Sequence, residues 1–268
     1  MRILIFHGYL LRGTGSNIYN PNLCRALVRL GHEVHLFCQD RAAAEQDFVD
    51  AVGSFQGDRL EVEVLREPAR CTAYLPDIHG LLPTYVADSY EGFRSVTFSE
   101  LSPAELDGYL DANVAAVRAV LERADPELAL ANHLVMGPAV LARALGDSVP
   151  YAVKVHGSAL EYVVRPERER FLPYAREGLA GAAGVLVGSR HTAESLWEVM
   201  GDSELPGRTR LGPPGVDVHA FRPRDPGEAA GRLAGLAERL AGGEIAAWGG
   251  EAGAAEALQA LDPRSERI

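Results

Sequence analysis

Four stretches of this chain place polar, chemically capable residues directly behind short apolar runs. His7 and Gly8 follow RILIF and lead into the turn Gly13-Thr14-Gly15-Ser16-Asn17. Asn132 and His133 follow ELALA, His156, Gly157 and Ser158 follow YAVKV, and Gly188, Ser189 and Arg190 follow VLV. An imidazole can hydrogen-bond a ligand, carry a proton or ligate a metal. A lone histidine behind a strand is ordinarily a hydrogen-bonding part of the fold, and His32, in a helix-to-strand turn, reads that way. Histidines behind three separate runs form a stronger pattern, and His133 and His156 are read as ligand contacts. Zinc is the rival occupant, but no H-x-H or H-E-x-x-H pair accompanies them, so no metal is expected.

The glycine turn has two readings. Gly13-Thr14-Gly15 ahead of a helix can bring backbone N–H groups close to a phosphate or a sugar hydroxyl. The bland alternative is a loop carrying a helix cap at Ser16 or Asn17. As a dinucleotide fingerprint it is incomplete: Ile18 stands where a third glycine belongs, and the first glycine lies beyond the tight turn. Asp40 could imitate the ribose-binding acid of a dehydrogenase, but NAD is a weak reading, and no cofactor is expected.

For these residues to meet, the runs must be neighbouring parallel strands whose carboxyl ends share one edge, where open α/β sheets bind ligands. The apolar runs at 2–6 and 34–38 flank a helical stripe of Leu23, Leu27 and Leu30 that Gly31 stops, which is one right-handed crossover unit. Further strands are expected at 60–65, 127–131, 151–155 and 185–187, and helices at 103–124, 135–145, 167–182 and 192–200. Ser102 with Glu105 is a capping-box signature. The sum is a doubly wound, Rossmann-like α/β domain over residues 1–223. Residues 71–98 read as loop with one or two strands. Residues 224–268 turn to Ala, Gly, Glu and Arg and read as a connector or marginal helix striped by Leu233, Leu236 and Leu240.

Composition narrows the function. Of 268 residues, 47% are hydrophobic, enough for a sizeable core, and the net charge of −11 argues against nucleic acid, which demands a basic surface. Nor does that charge indicate membrane association. Three scattered cysteines, Cys24, Cys38 and Cys71, fit reduced thiols better than a disulfide framework. With no targeting segment and no run of about 20 apolar residues, a cytoplasmic location is expected.

Five blocks in order carry a resemblance: GTGSNIYNPNLCRALVRLGHEVHLF, LALANHLVMG, VKVHGSALE, GVLVGSRHTAESL and RLGPPGVDVHAFRP. Together, over roughly residues 1–223, they resemble the N-terminal domain of family 4 retaining glycosyltransferases of the GT-B fold. The resemblance implies that a sugar passes from a UDP- or GDP-linked donor to a small-molecule or glycan acceptor. It implies that Gly13, Thr14, Gly15 and Ser16 lie under the donor diphosphate, and that His133 contacts the donor sugar near the reacting centre. It places His156 and Gly157 in the acceptor pocket and Ser189 and Arg190 on the far border of the cleft. Lys154, two residues before His156, can point elsewhere and is left out of the site.

The family also grips the diphosphate with an Arg and a Lys, and the sugar and ribose with two glutamates seven residues apart, all in a C-terminal domain. Glu238 and Glu244, six apart, do not reproduce that pair. A C-terminal partner domain is therefore expected, and this chain by itself is expected to be a poor enzyme or none. Rival readings are a non-catalytic or split-enzyme acceptor module, and an NAD- or metal-dependent enzyme on the same fold.

Overall fold

The computed structural model describes residues 1–242 apart from Thr14, Asp58, Ala220 and Arg224. It divides into two compact units, Met1–Pro214 and Gly215–Ile268.

In chain order the first unit contains β1 (Arg2–Phe6), α1 (Gly15–Arg29), β2 (Glu33–Phe37), β3 (Ala51–Gln56), β4 (Arg59–Val64), β5 (Cys71–Leu75), β6 (Leu81–Thr84) and β7 (Arg94–Thr97). There follow α2 (Pro103–Ala124), β8 (Leu128–Asn132), α3 (Gly137–Leu145), β9 (Tyr151–Val155), the short α4 (Gly157–Ala159), α5 (Arg168–Ala180), β10 (Gly184–Val187), α6 (Arg190–Met200), α7 (Leu205–Arg208) and β11 (Thr209–Leu211). Nine strands form one sheet in the order β11-β10-β9-β8-β1-β2-β5-β3-β4. All neighbours pair parallel except β3 with β4.

Side chains of β1 alternate between two cores. Leu4 and Phe6 join the larger one, shared with α2, α3, α5 and α6, while Ile3 and Ile5 join a second one with Cys24 of α1 and with Cys38 and Cys71. Each fully buried aliphatic or aromatic side chain is worth about 1.5–3 kcal/mol. The continuous apolar strand runs therefore demand cover on both faces, and the expected doubly wound α/β architecture is the one observed.

Helix boundaries follow local chemistry. Ser102 accepts from the Glu105 amide while the Glu105 carboxylate accepts from the Ser102 amide, so α2 opens on the capping box read in the sequence. Helix α1 starts at Gly15, earlier than a cap at Ser16 or Asn17 would place it; Asn17 lies within its first turn and donates to the Arg12 carbonyl at 3.1 Å. Helices α3 and α5 approach so closely that a Cβ at Gly178 would sit 2.4 Å from Pro138 Cβ.

Two regions differ from expectation. The strand expected at 60–65 is β4, but it is the antiparallel edge of a hairpin turned at Gly57 (φ 59°), not a crossover strand. Residues 71–98 contain three strands, of which β5 is buried between β2 and β3, and β6 and β7 pair in a separate two-stranded sheet.

In the second unit, α8 (Pro226–Ala241) is capped by Asp225, which accepts from the Gly227 and Glu228 amides at 2.8 and 3.3 Å. It contains the Leu233, Leu236 and Leu240 stripe and Glu238; Glu244 and the remainder of the expected connector lie outside the described residues. No helix among the described residues is long and apolar enough to cross a membrane.

Candidate active site at the carboxyl edge of the sheet

Strands β1, β8 and β9 are neighbours, and the residues just past their carboxyl ends meet. His7 follows β1, Asn132 ends β8 with His133 behind it, and His156 follows β9. The rings of His133 and His156 lie 4.9 Å apart, centre to centre, and those of His133 and His7 lie 6.4 Å apart. Tyr85 at 4.4 Å and Tyr9 at 5.6 Å enclose His133 further. Both tyrosine hydroxyls are engaged elsewhere, donating at 2.6 Å to the Val135 and Pro83 carbonyls respectively. Tyr19 of α1 packs edge-on against His156 at 5.5 Å.

His133 is the anomaly of this cluster. Its residue is 2% exposed, yet neither ring nitrogen has a hydrogen-bond partner. A buried polar group left unpaired costs about 1–3 kcal/mol. Its backbone is also left-handed, φ 68°, with the amide held by the Lys154 carbonyl at 2.8 Å. For a residue other than glycine that conformation costs roughly 1–2 kcal/mol. Burial is the main cause that lowers the pKa of His133 well below the ordinary value, with His156 and His7 adding to it, so the ring is neutral at pH 7. A neutral imidazole offers one donor and one acceptor, the pattern that matches a hydroxyl.

His7 is different. Its Nε2 faces the Leu10 carbonyl at 2.9 Å and its Nδ1 faces the Asn20 amide at 2.9 Å, so both nitrogens are committed to the fold. Burial lowers its pKa to about 4. His156 Nε2 faces Asn132 Oδ1 at 3.1 Å, and burial, with Lys154 as a smaller cause, lowers its pKa to about 4.

The remaining residues singled out in the sequence lie around this cluster or away from it. Gly13 is exposed, with φ 98° and open space where a Cβ would stand. Thr14 lies outside the described residues. Gly15 starts α1, and the Ser16 carbonyl accepts from Asn20 Nδ2 at 3.0 Å, which ties the loop to the histidines. Gly157 starts α4 with no crowding around it. Ser189 caps α6, its hydroxyl accepting from the Thr192 amide at 3.1 Å. Arg190 points into solvent along α6 and pairs with Glu194 at 2.8 Å; it is not brought to the histidines. Asp40, at the end of the β2 loop, accepts from the Leu11 and Ala42 amides at 3.0 Å each and so braces the loop after β1.

Two features, Asn20 and Tyr85, escaped sequence reasoning, and a third, Lys154, was set aside by it. All three come from positions with no strand-end signal. Lys154 is buried, donates to the Gly212 carbonyl, and lies 5.6 Å from the centre of the Tyr19 ring; burial depresses its pKa. Asn20 carried the one readable hint, an amide within a helix beside the apolar stripe. Among the described residues no group of three His, Cys, Asp or Glu is arranged to hold a metal ion.

The electrostatics of this edge are permissive for an anion. Helices α1, α3 and α6, which follow β1, β8 and β10, carry no acidic residue in their first turns, whereas α2, α5 and α8 carry Glu105, Glu169 and Glu228 there. The N-terminal ends that open on the histidine edge therefore keep their partial positive charge unneutralised.

No curated protein matches the chain in sequence. Among solved structures, sucrose-phosphate synthase from Thermosynechococcus elongatus is 18% identical with a TM-score of 0.49, covering 87% of this chain and 52% of its own. A putative UDP-N-acetylglucosamine 2-epimerase from Listeria monocytogenes is 12% identical with a TM-score of 0.46, covering 96% and 66%. A ugt transferase from Siraitia grosvenorii, solved in complex with UDP, is 9% identical with a TM-score of 0.45, covering 90% and 56%. The chain thus spans about half the length of the synthase. The family profile described as "Glycosyl transferase 4-like domain" matches residues 14–215, which include every strand-end segment of the site after β1. The chain belongs to the glycosyl transferase 4-like domain family.

Proposed function

We propose that this chain is the acceptor-side domain of a retaining glycosyltransferase that moves a sugar from a UDP- or GDP-linked donor to an acceptor hydroxyl, and that a C-terminal domain supplies most of the donor contacts. The single observation that carries this reading is His133: a buried, neutral imidazole with two unpaired nitrogens at the ligand-binding edge of the sheet. Such a ring is stabilised by a ligand that brings a donor and an acceptor without charge, which is what a sugar hydroxyl does.

The chemistry assigned to each group follows from charge. Glycosyl transfer builds positive charge on the sugar and negative charge on the departing phosphate, and fixed dipoles next to that phosphate stabilise it without reorganising. The amides of Gly13, Gly15 and Ser16 and the positive ends of α1 and α3, whose first turns hold no acidic residue, suit that task. His133 is assigned to the donor sugar, His156 and Gly157 to the acceptor, and Ser189 to the cleft border, with Arg190 reaching the border only by leaving Glu194. Among the described residues no carboxylate acts on the His133 ring to raise its basicity, and the acceptor proton is assigned to the departing phosphate. The buried thiols at Cys24, Cys38 and Cys71 suit a reducing, cytoplasmic setting.

By itself the chain would lack the cations and glutamates that hold the donor, so ground-state and transition-state binding would be weak together. The test joins a donor-binding domain of the same family to residue 223, or supplies it in trans, and follows sugar transfer to a panel of acceptors. Transfer that falls roughly 100-fold in His133→Ala supports the reading. A folded, joined protein that neither transfers nor hydrolyses any UDP- or GDP-sugar overturns it in favour of a non-catalytic binding module.

A further inference from the structure

The polar groups beneath the site form a directed chain. Asn20 is fully buried and Asn132 is 1% exposed, and every polar atom of both side chains is used. Asn20 Nδ2 lies 3.0 Å from the Ser16 carbonyl oxygen, and Asn132 Nδ2 lies 3.4 Å from the Phe6 carbonyl oxygen. A main-chain carbonyl can only accept, so these contacts fix which end of each amide is nitrogen: flipping either one would set oxygen against oxygen. With the amides fixed, the rest has one solution. Asn132 Nδ2 donates to Asn20 Oδ1 at 2.8 Å, and Asn20 Nδ2 donates to His7 Nδ1 at 2.9 Å. His7 Nδ1 is then an acceptor, so its proton sits on Nε2 and goes to the Leu10 carbonyl at 2.9 Å. At the other end Asn132 Oδ1 must receive a proton, and the group that faces it at 3.1 Å is His156 Nε2.

We infer that Asn132, held by Asn20, is a positioning residue that locks His156 in the Nε2–H tautomer and leaves Nδ1 as its only lone pair, the acceptor that receives a hydrogen bond from the substrate hydroxyl. The tautomer follows from geometry alone; the role toward the acceptor hydroxyl rests on the glycosyl-transfer reading. The same chain makes His7 a structural histidine, because neither of its nitrogens is left for a ligand. It also couples the glycine loop, through Ser16 and Leu10, to the orientation of the His156 ring across residues more than 100 positions apart in sequence. Loosening the loop should therefore be felt at His156 without any direct contact.

The test is 15N imidazole NMR of the purified chain between pH 5 and 8, with His156→Gln used to assign the His156 signals. The expected spectrum shows one neutral tautomer, with a protonated Nε2 and a bare Nδ1. In Asn132→Leu, His156 should become a mixture of tautomers. In Asn132→Asp the carboxylate still accepts, so the Nε2–H form should persist while the His156 titration rises by about one to two pH units. Circular dichroism confirms that each variant is folded; should Asn132→Leu fail to fold, the wild-type and Asn132→Asp spectra still decide the matter. A wild-type spectrum with Nδ1–H or mixed tautomers overturns the inference, as does an unchanged tautomer in folded Asn132→Leu. In a joined enzyme that transfers sugar, Asn132→Leu should raise the KM for acceptor more than it lowers kcat. Equal loss in both would overturn the assigned role while leaving the glycosyl-transfer reading intact.

Discussion

The two edges of the same sheet treat their polar groups in opposite ways. At the amino edge Asp50 lies between β3 and β5 and is met on every side: the Arg70 and Cys71 amides donate to Oδ2 at 2.9 and 3.1 Å, and Arg66 Nε donates to Oδ1 at 3.2 Å. At the carboxyl edge His133 is more deeply enclosed, yet neither of its ring nitrogens meets a hydrogen-bond partner. Asp50 is half-buried and fully partnered, whereas His133 is buried and its ring nitrogens are not, so the more enclosed group is the less satisfied one. A satisfied cluster is part of what holds strands in register, whereas an unsatisfied one carries a cost in the free protein that a ligand can offset. The folding energy of the amino edge and the binding proposed for the carboxyl edge are thus separable by substitution.

Acid should expose the largest difference. His7 and His156 have pKa values of about 4 in the folded protein against an ordinary 6.5, and that of His133 is also far below 6.5. The unfolded chain therefore binds protons that the folded chain refuses. Stability is full above pH 6.5 and falls as the pH drops toward 4, with each histidine contributing up to about 1.4 kcal/mol per pH unit. Urea unfolding at a series of pH values measures this, and removing any one of the three rings should flatten the slope. An acid slope left undiminished in all three single variants would break the assignment to the carboxyl edge.

Asp50→Ala comes next. It strips an acceptor from two amides and a guanidinium, and should lower stability by about 3 kcal/mol in chemical denaturation while leaving ligand affinity of the folded fraction intact. His133→Phe should act in reverse. Replacing an unpaired ring with an apolar one should raise stability by about 1 kcal/mol, while transfer in a joined enzyme falls by roughly 100-fold. A destabilised His133→Phe would mean that the imidazole is held by partners after all. Arg190→Ala, which removes an exposed pair with Glu194, should change stability by less than about 0.5 kcal/mol.

Much of this edge was legible in the sequence because parallel strands announce themselves as continuous apolar runs and their next residue is the site. His133 and His156 stand behind such runs, and the structure brings their rings together; Ser189 stands behind another and caps α6, a role its sequence position did not show, while the Ser102 capping box is legible from its own spacing. The outer half of the sheet was not. Strand β3 is interrupted by Gly53 and Ser54, and the glycine is there because a Cβ would lie 2.5 Å from the Tyr74 ring, a contact made 21 residues later. Strand β6 contains Pro83, which argues against a strand in any local reading. The asparagine relay was hidden for the same reason: Asn20 and Asn132 are 112 residues apart, and nothing in either segment announces the other. Local chemistry marks the ends of elements, while tertiary contact decides which polar groups are satisfied.

On the proposed reading this domain holds the acceptor side of the site, and another domain supplies most of the donor ligands. Calorimetric titration of the purified chain with a panel of UDP- and GDP-sugars, with product analysis on the same samples, tests it most directly. Binding no tighter than about millimolar, roughly −4 kcal/mol, and no turnover are expected. Micromolar binding accompanied by transfer or hydrolysis would contradict it, because the chain would then hold a complete donor site of its own.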